Sequence, residues 1–162
     1  MRTLLNLDSN EIQKYQQNRY PLLFVDFIKE VKVGETALGY KTFSYNEWYF
    51  PAHFEDEPNV PGFVQMEALT QVFLMTFLTM DENKGKKTAF VQSNTEFRKK
   101  IIPGDMLEIR ARLDSYKRGV AKGSVKGYLH SIAGGGGLAC QANFVIVIPK
   151  ILQQVAPKGK ES

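Results

Sequence analysis

The sequence predicts an α+β domain in which a curved antiparallel sheet wraps one long buried helix. Three observations carry this. From Phe63 to Met80 the apolar residues Phe63, Val64, Met66, Leu69, Val72, Phe73, Leu74, Met75, Phe77, Leu78 and Met80 leave almost no polar face, the mark of a helix buried all round. Ahead of it lie a run rich in Leu, Val, Phe and Ile and, past a Gly-Glu turn, a second β-type run, and after it come four more β-type runs separated by turn residues. Strands, one helix, then a meander of strands close most simply as a sheet folded over the helix. A helix apolar on every side needs more cover than one sheet face supplies, which favours two subunits joined through edge strands into a continuous sheet.

In chain order, Asp8-Ser9-Asn10-Glu11 reads as a helix start, with Asp8 as cap and Glu11 three residues on, giving a short helix before Arg19-Tyr20-Pro21. Leu22 to Val33 and Thr36 to Tyr45, turned by Gly34-Glu35, read as antiparallel strands. The polar stretch Asp81 to Lys87 ends the long helix. The later strands are expected over Thr88 to Phe97, Asp105 to Tyr116, Val120 to Ser131 and Leu138 to Ile148, with hairpin turns at Lys117-Arg118-Gly119 and Gly134 to Gly137. The glycine run precedes a strand and so lacks the context of a phosphate loop. A single domain is expected over residues 1–148, with 149–162 as a flexible basic tail.

At 162 residues, 43% hydrophobic and 23% charged, the chain suits one globular domain. Gln65, Glu67, Thr70, Gln71, Thr76 and Thr79 interrupt the apolar helix, so a core helix is expected rather than a membrane span. Residues 1–8 show no secretory pattern, and a cytoplasmic location is expected. Cys140 is the only cysteine, which excludes an intrachain disulfide, and reads as a core residue; His53 and His130 lack ligand spacing, so no metal site is expected. The net charge of +4 favours acidic partners, but no nucleic-acid signature accompanies it.

The chemistry concentrates between Ala52 and Gln71. A neutral imidazole at His53 can take a proton near neutral pH, and a carboxyl at Glu67 on an apolar helix can hold or deliver one. Between them Pro61-Gly62 opens the helix, whose first amides have no internal acceptor and stabilise a carbonyl oxygen gaining negative charge. Gln71, four residues beyond Glu67, shares its helix face and can orient the carboxyl or serve equally as a core hydrogen-bonding residue. A lone histidine is more often structural, and a helical Glu more often solvated; the apolar setting of Glu67 is what argues for function.

These residues resemble the hotdog-fold 3-hydroxyacyl-acyl-carrier-protein dehydratases of type II fatty-acid synthesis. Arg19-Tyr20-Pro21-Leu22-Leu23-Phe24-Val25-Asp26 looks like the family's N-terminal strand. His53-Phe54 through Pro61-Gly62 to Glu67-Ala68 and Gln71 looks like its active-site loop and helix, and Phe97 to Asp105, with Pro103-Gly104-Asp105, like its later strand connection. The resemblance implies that His53 acts on the α-proton, that Glu67 from the other subunit assists departure of the β-hydroxyl as water, and that the Gly62 amide holds the thioester carbonyl. It also implies an obligate homodimer or trimer of dimers, and a tunnel for an acyl chain on the phosphopantetheine of acyl carrier protein, with no metal or redox cofactor. Phe54, Phe63 and Phe90 are candidates to line that tunnel, and Arg98, Lys99 and Lys100 to contact the acidic carrier; core packing and a solvated basic face explain them as well.

Two departures stand out. The family's Gly-His-Phe-Pro-Gly is here Ala52-His53-Phe54-Glu55-Asp56, and Asn59-Val60 precede Pro61-Gly62, so acidic side chains flank His53 and bear on rate and substrate choice. The expected activity is dehydration of a (3R)-hydroxyacyl thioester to the trans-2-enoyl thioester. The alternatives are a hotdog thioesterase and a catalytically silent, carrier-binding hotdog subunit; retention of both His53 and Glu67 argues against them.

Overall fold

The protein's structure, a computed structural model, describes residues 2–155. Seven strands form one antiparallel sheet: β1 (Thr3–Leu7), β2 (Phe27–Lys32), β3 (Thr36–Thr42), β4 (Ala89–Phe97), β5 (Met106–Lys117), β6 (Val120–His130) and β7 (Gly136–Val147). Their order across the sheet is β1-β2-β3-β5-β6-β7-β4, so β1 and β4 are the edges. The helices are α1 (Ser9–Ile12), α2 (Gly62–Leu78) and α3 (Pro149–Val155). α2 lies in the concave face of the sheet, as the apolar pattern predicts, and every residue from Ala68 to Leu78 is buried.

Two devices let sheet and helix fit. Register shifts at Ile28/Glu30, Phe90/Gln92, Leu113/Ser115 and Gly127/Tyr128 bend the strands, since each extra residue sharpens local twist. Glycines then clear space beneath the helix. A Cβ at Gly39 would stand 2.9 Å from Val72 Cγ2, one at Gly123 2.5 Å from the Phe73 ring, and one at Gly127 3.2 Å from Leu69 Cδ2. At the β5–β6 hairpin, Arg118 and Gly119 both adopt positive φ (50° and 80°), the paired left-handed geometry that matches the twist of adjoining strands.

Several boundaries differ from the sequence reading. Arg19 to Asp26 is irregular chain rather than strand, because its amides serve other partners: Phe24 N–H donates to the Gln71 side chain at 2.7 Å and Asp26 N–H to the Tyr40 carbonyl at 3.0 Å. β1, unforeseen, pairs with β2 through Leu4↔Val31 and Leu5↔Glu30. The N-terminal helix is a single turn, capped by Asp8, whose carboxylate accepts from Glu11 N–H at 2.9 Å. The tail expected from residue 149 begins as helix α3, held where Ile151 packs over Gly119; its remainder, with Lys158 and Lys160, lies outside the described residues.

The outer edge, β4, is exposed along nearly its whole length, with Phe90, Val91 and Phe97 41%, 62% and 51% exposed. Its hydrogen-bonding row away from β7 is open, the feature that invites another strand.

Candidate active site

The loop between β3 and α2 carries His53 and closes on itself. Asn59 N–H donates to the His53 carbonyl at 3.0 Å, and the Asn59 side-chain amide reaches the same oxygen at 3.2 Å. In return His53 Nδ1 lies 3.2 Å from the Asn59 carbonyl. A carbonyl can only accept, so this contact places the ring proton on Nδ1 and leaves the Nε2 lone pair free to take one. His53 is half-buried, and the exposed Phe54 ring stacks on it at 4.5 Å; the peptide joining them is cis. Of the acidic residues after Phe54, Glu55 and Asp56 are exposed, and Glu57 pairs with Lys100, which holds its carboxyl below the usual range.

Pro61 precedes α2 without a side-chain cap. The amides of Val64 and Gln65 donate to the Pro61 carbonyl at 3.1 and 3.2 Å, and among the described residues those of Gly62 and Phe63 have no acceptor. Gly62 also meets the Phe97 ring: a Cβ there would stand 3.2 Å from Cζ. Two free donors at the positive end of a helix can hold an oxygen that is becoming an anion.

Glu67 lies one turn further on. Burial pushes its carboxyl above the ordinary carboxylate range, and the Gln71 hydrogen bond only partly opposes this. Gln71 is fully buried and uses its whole side chain: Nε2 donates to Glu67 Oε1 at 3.0 Å and to the Leu22 carbonyl at 2.7 Å, and Oε1 accepts from Phe24 N–H at 2.7 Å. The Gln71 amide thus knits the Leu22–Phe24 segment to the helix and hydrogen-bonds the Glu67 carboxyl.

One chain does not bring every candidate together. Among the described residues no hydrogen bond or ion pair joins His53 to Glu67. Phe63 is 56% exposed beside Trp48, whereas Phe90 packs on Phe144 at the opposite end of β4 from Phe97 and Gly62. Arg98, Lys99 and Lys100 are exposed but engaged, Arg98 with Glu96 at 3.1 Å, Lys99 with the Gly136 carbonyl and Lys100 with Glu57. Phe97 and Asn59 were missed in the sequence: an aromatic ending a strand and an amide in a loop carry no signal until the fold brings them to Gly62 and His53. Cys140 is buried on the helix-facing side of the sheet beside Gly127, its thiol pushed up to about 12 by desolvation. Among the described residues no helix is long and apolar enough to cross a membrane.

A strongly bent antiparallel sheet closed on one helix, with its acid and free amides at the helix N-terminal end, defines a hotdog-fold protein. Solved structures share that fold at low identity. The dehydratase heterocomplex ApeI:P from Xenorhabdus doucetiae aligns with a TM-score of 0.66 at 15% identity, covering 89% of this chain and 95% of that one. Zebra fish thioesterase superfamily member 2 aligns at 0.61 and 13%, covering 88% and 99%. The chain belongs to the FabA-like domain family, whose model matches residues 17–131. It is 46% identical over 116 residues to the 3-hydroxyacyl-(acyl-carrier-protein) dehydratase FabZ of Clostridium botulinum (strain Loch Maree / Type A3), covering 71% of this chain and 80% of the relative. It is 35% identical over 145 residues to the dehydratase of the same name from Alkaliphilus metalliredigens (strain QYMF), covering 89% and 95%.

Proposed function

We propose that the protein dehydrates (3R)-3-hydroxyacyl thioesters of acyl carrier protein to trans-2-enoyl thioesters. The observation that carries this is Glu67, a carboxyl biased by burial toward its neutral acid and aimed by Gln71, one turn from two unused helix amides. The thioester oxygen sits at the Gly62 amide, where charge develops as His53 Nε2 removes the α-proton. Glu67 gives its proton to the departing hydroxyl, and the π bond forms as water leaves. Proton abstraction and proton donation use protein groups alone, so the reaction needs no redox partner. The substrate class follows the FabZ-named relatives, and an enzyme serving a soluble carrier belongs in the cytoplasm.

His53 and Glu67 meet across two protomers in this reading. The open edge of β4, with its exposed Phe90, Val91 and Phe97, is the surface that pairs, extending the sheet through a two-fold axis. Pairing of that kind also carries Phe90 of one protomer toward the partner's helix start, where with Phe54 and Phe63 it lines the acyl tunnel. Arg98, Lys99 and Lys100 contribute to carrier docking only after exchanging their present partners. Lys86, Lys87 and Lys150, which border a cavity of about 460 Å³ and form no ion pair among the described residues, add uncommitted charge for the same acidic carrier.

The test supplies a (3R)-3-hydroxyacyl carrier-protein thioester and follows enoyl absorbance and free thiol together. Enoyl product without thiol is expected. Thiol release marks a thioesterase, and binding without turnover a silent subunit; either outcome overturns the proposal. His53→Ala is expected to abolish turnover and leave the oligomer intact by light scattering, whereas loss of the oligomer would reassign His53 to structure.

A further inference from the structure

Lys41 is the most deeply buried cation in the described chain and takes no part in the chemistry above. It stands at the end of β3, 4% exposed, with Nζ 2.7 Å from Glu47 Oε1 and 3.6 Å from Asp26 Oδ2, over the Phe43 ring at 5.6 Å. Asp26 is half-exposed and already occupied by the Thr42 amide and hydroxyl at 2.7 and 3.1 Å, so Glu47 is the principal partner. Glu47 belongs to the loop rather than to the sheet. From it a ladder of backbone turns runs toward the active site: Glu47 N–H donates to the Ser44 carbonyl at 3.0 Å, Phe50 N–H to the Glu47 carbonyl at 3.3 Å, and His53 N–H to the Phe50 carbonyl at 3.2 Å. Each rung is three residues from the last, and each fixes the next. Tyr49 and Phe50, 1% and 0% exposed, pack this ladder against the core through rings 5.0 Å apart.

We infer that Lys41 is a positioning residue for His53: by clamping Glu47 it anchors the turn ladder that ends on the His53 amide. The reason is geometric. The loop has no regular structure between β3 and α2; Phe43 bonds Asp105 and Gly104 where the loop leaves β3, and Asn59 and Val60 tie it beyond His53, so between Phe43 and His53 the Lys41–Glu47 pair is the polar tie back to the sheet. Without the clamp the stretch from Ser44 to Phe50 is held to the body of the protein by packing alone. An imidazole displaced by a fraction of an ångström loses its line of approach to a proton, and misplacement of 1 Å lowers turnover on the order of a hundredfold. The kinetic part of this inference rests on His53 being the base; the structural part does not.

The test separates position from stability. Lys41→Met leaves the partly buried Glu47 without its partner and is expected to lower both melting temperature and kcat, with KM little changed. The double variant K41M/E47L replaces the ion pair by apolar side chains of similar size, an exchange that restores stability in other buried pairs. It is expected to recover the melting temperature and still show kcat reduced on the order of tenfold or more. Independently of activity, amide hydrogen exchange at Phe50 and His53 is expected to quicken in K41M/E47L while exchange in α2 stays as in the parent. A stable double variant with kcat within about twofold of the parent overturns the kinetic inference; unchanged exchange at Phe50 and His53 overturns the clamp itself. If the parent protein fails to dehydrate the carrier thioester, the proposed function falls, and the exchange measurement still decides the clamp.

Discussion

Replacing Gln71 by leucine tests in one residue how the fold and the acid are coupled. Leucine keeps the volume and removes three hydrogen bonds: those with the Leu22 carbonyl, the Phe24 amide and the Glu67 carboxylate. The Phe24 amide belongs to a residue only 2% exposed, so it is left without water, and a stranded buried donor costs about 1–3 kcal/mol. The Leu22 carbonyl sits on a residue 54% exposed and can be taken up by solvent, adding little. A loss of about 2 kcal/mol is expected, which for a domain of this size lowers Tm by about 4–8 °C. The Gln71 bond also favours the charged form of Glu67, so removing it sends a carboxyl already raised by burial higher still. If the protonated acid is the working form, the alkaline limb of kcat/KM moves to higher pH. Calorimetry and a pH–rate profile on the carrier thioester measure both effects. A Tm within a degree of the parent, or an alkaline limb that stays fixed or moves down, refutes the reasoning.

Glu67→Gln is expected to abolish dehydration and to stabilise the fold at alkaline pH: the folded-state pKa is raised, so the native acid is penalised above that pKa, relieved as pH falls through the window, and unpenalised below the unfolded value of about 4.3. Melting curves of variant and parent should therefore converge toward pH 4, and a gap that widens on acidification contradicts the sign. Gly123→Ala places a Cβ 2.2 Å from the Arg112 carbonyl oxygen and is expected to lose about 3 kcal/mol or more in urea unfolding, since neither backbone nor the Phe73 ring beneath can withdraw. Lys86→Glu with Lys87→Glu is expected to raise KM for a carrier-borne substrate about tenfold and leave a small pantetheine thioester unaffected, a split that steady-state kinetics with the two substrates resolves.

The helix and the four strands after it were legible because burial writes a periodic signature: α2 begins at Gly62, and β4 to β7 fall within two residues of the runs that predict them. Arg19 to Asp26 misled because an apolar run spells burial without saying whether its amides pair in a ladder; here a glutamine side chain takes the Phe24 amide. β1 was unreadable for the opposite reason, since an edge strand exposed on most of its length needs no pattern. The helix half of the site could be read from local spacing, Gly62, Glu67 and Gln71 lying within ten residues of sequence. The Lys41–Glu47 pair, the Phe97 ring over Gly62 and the engagement of Lys99 and Lys100 could not, because each joins segments that only folding brings together.

The naked flank of β4 has a consequence before any catalysis begins. A single chain displays a ready template, with phenylalanines at both ends, to every extended polypeptide around it, and while that edge stays uncovered it is a route to fibrous or amorphous self-association. Under the proposed pairing of two copies along β4, slow encounter at low abundance, or a substitution that blunts the match between them, should therefore surface first as lost solubility and only afterwards as lost turnover.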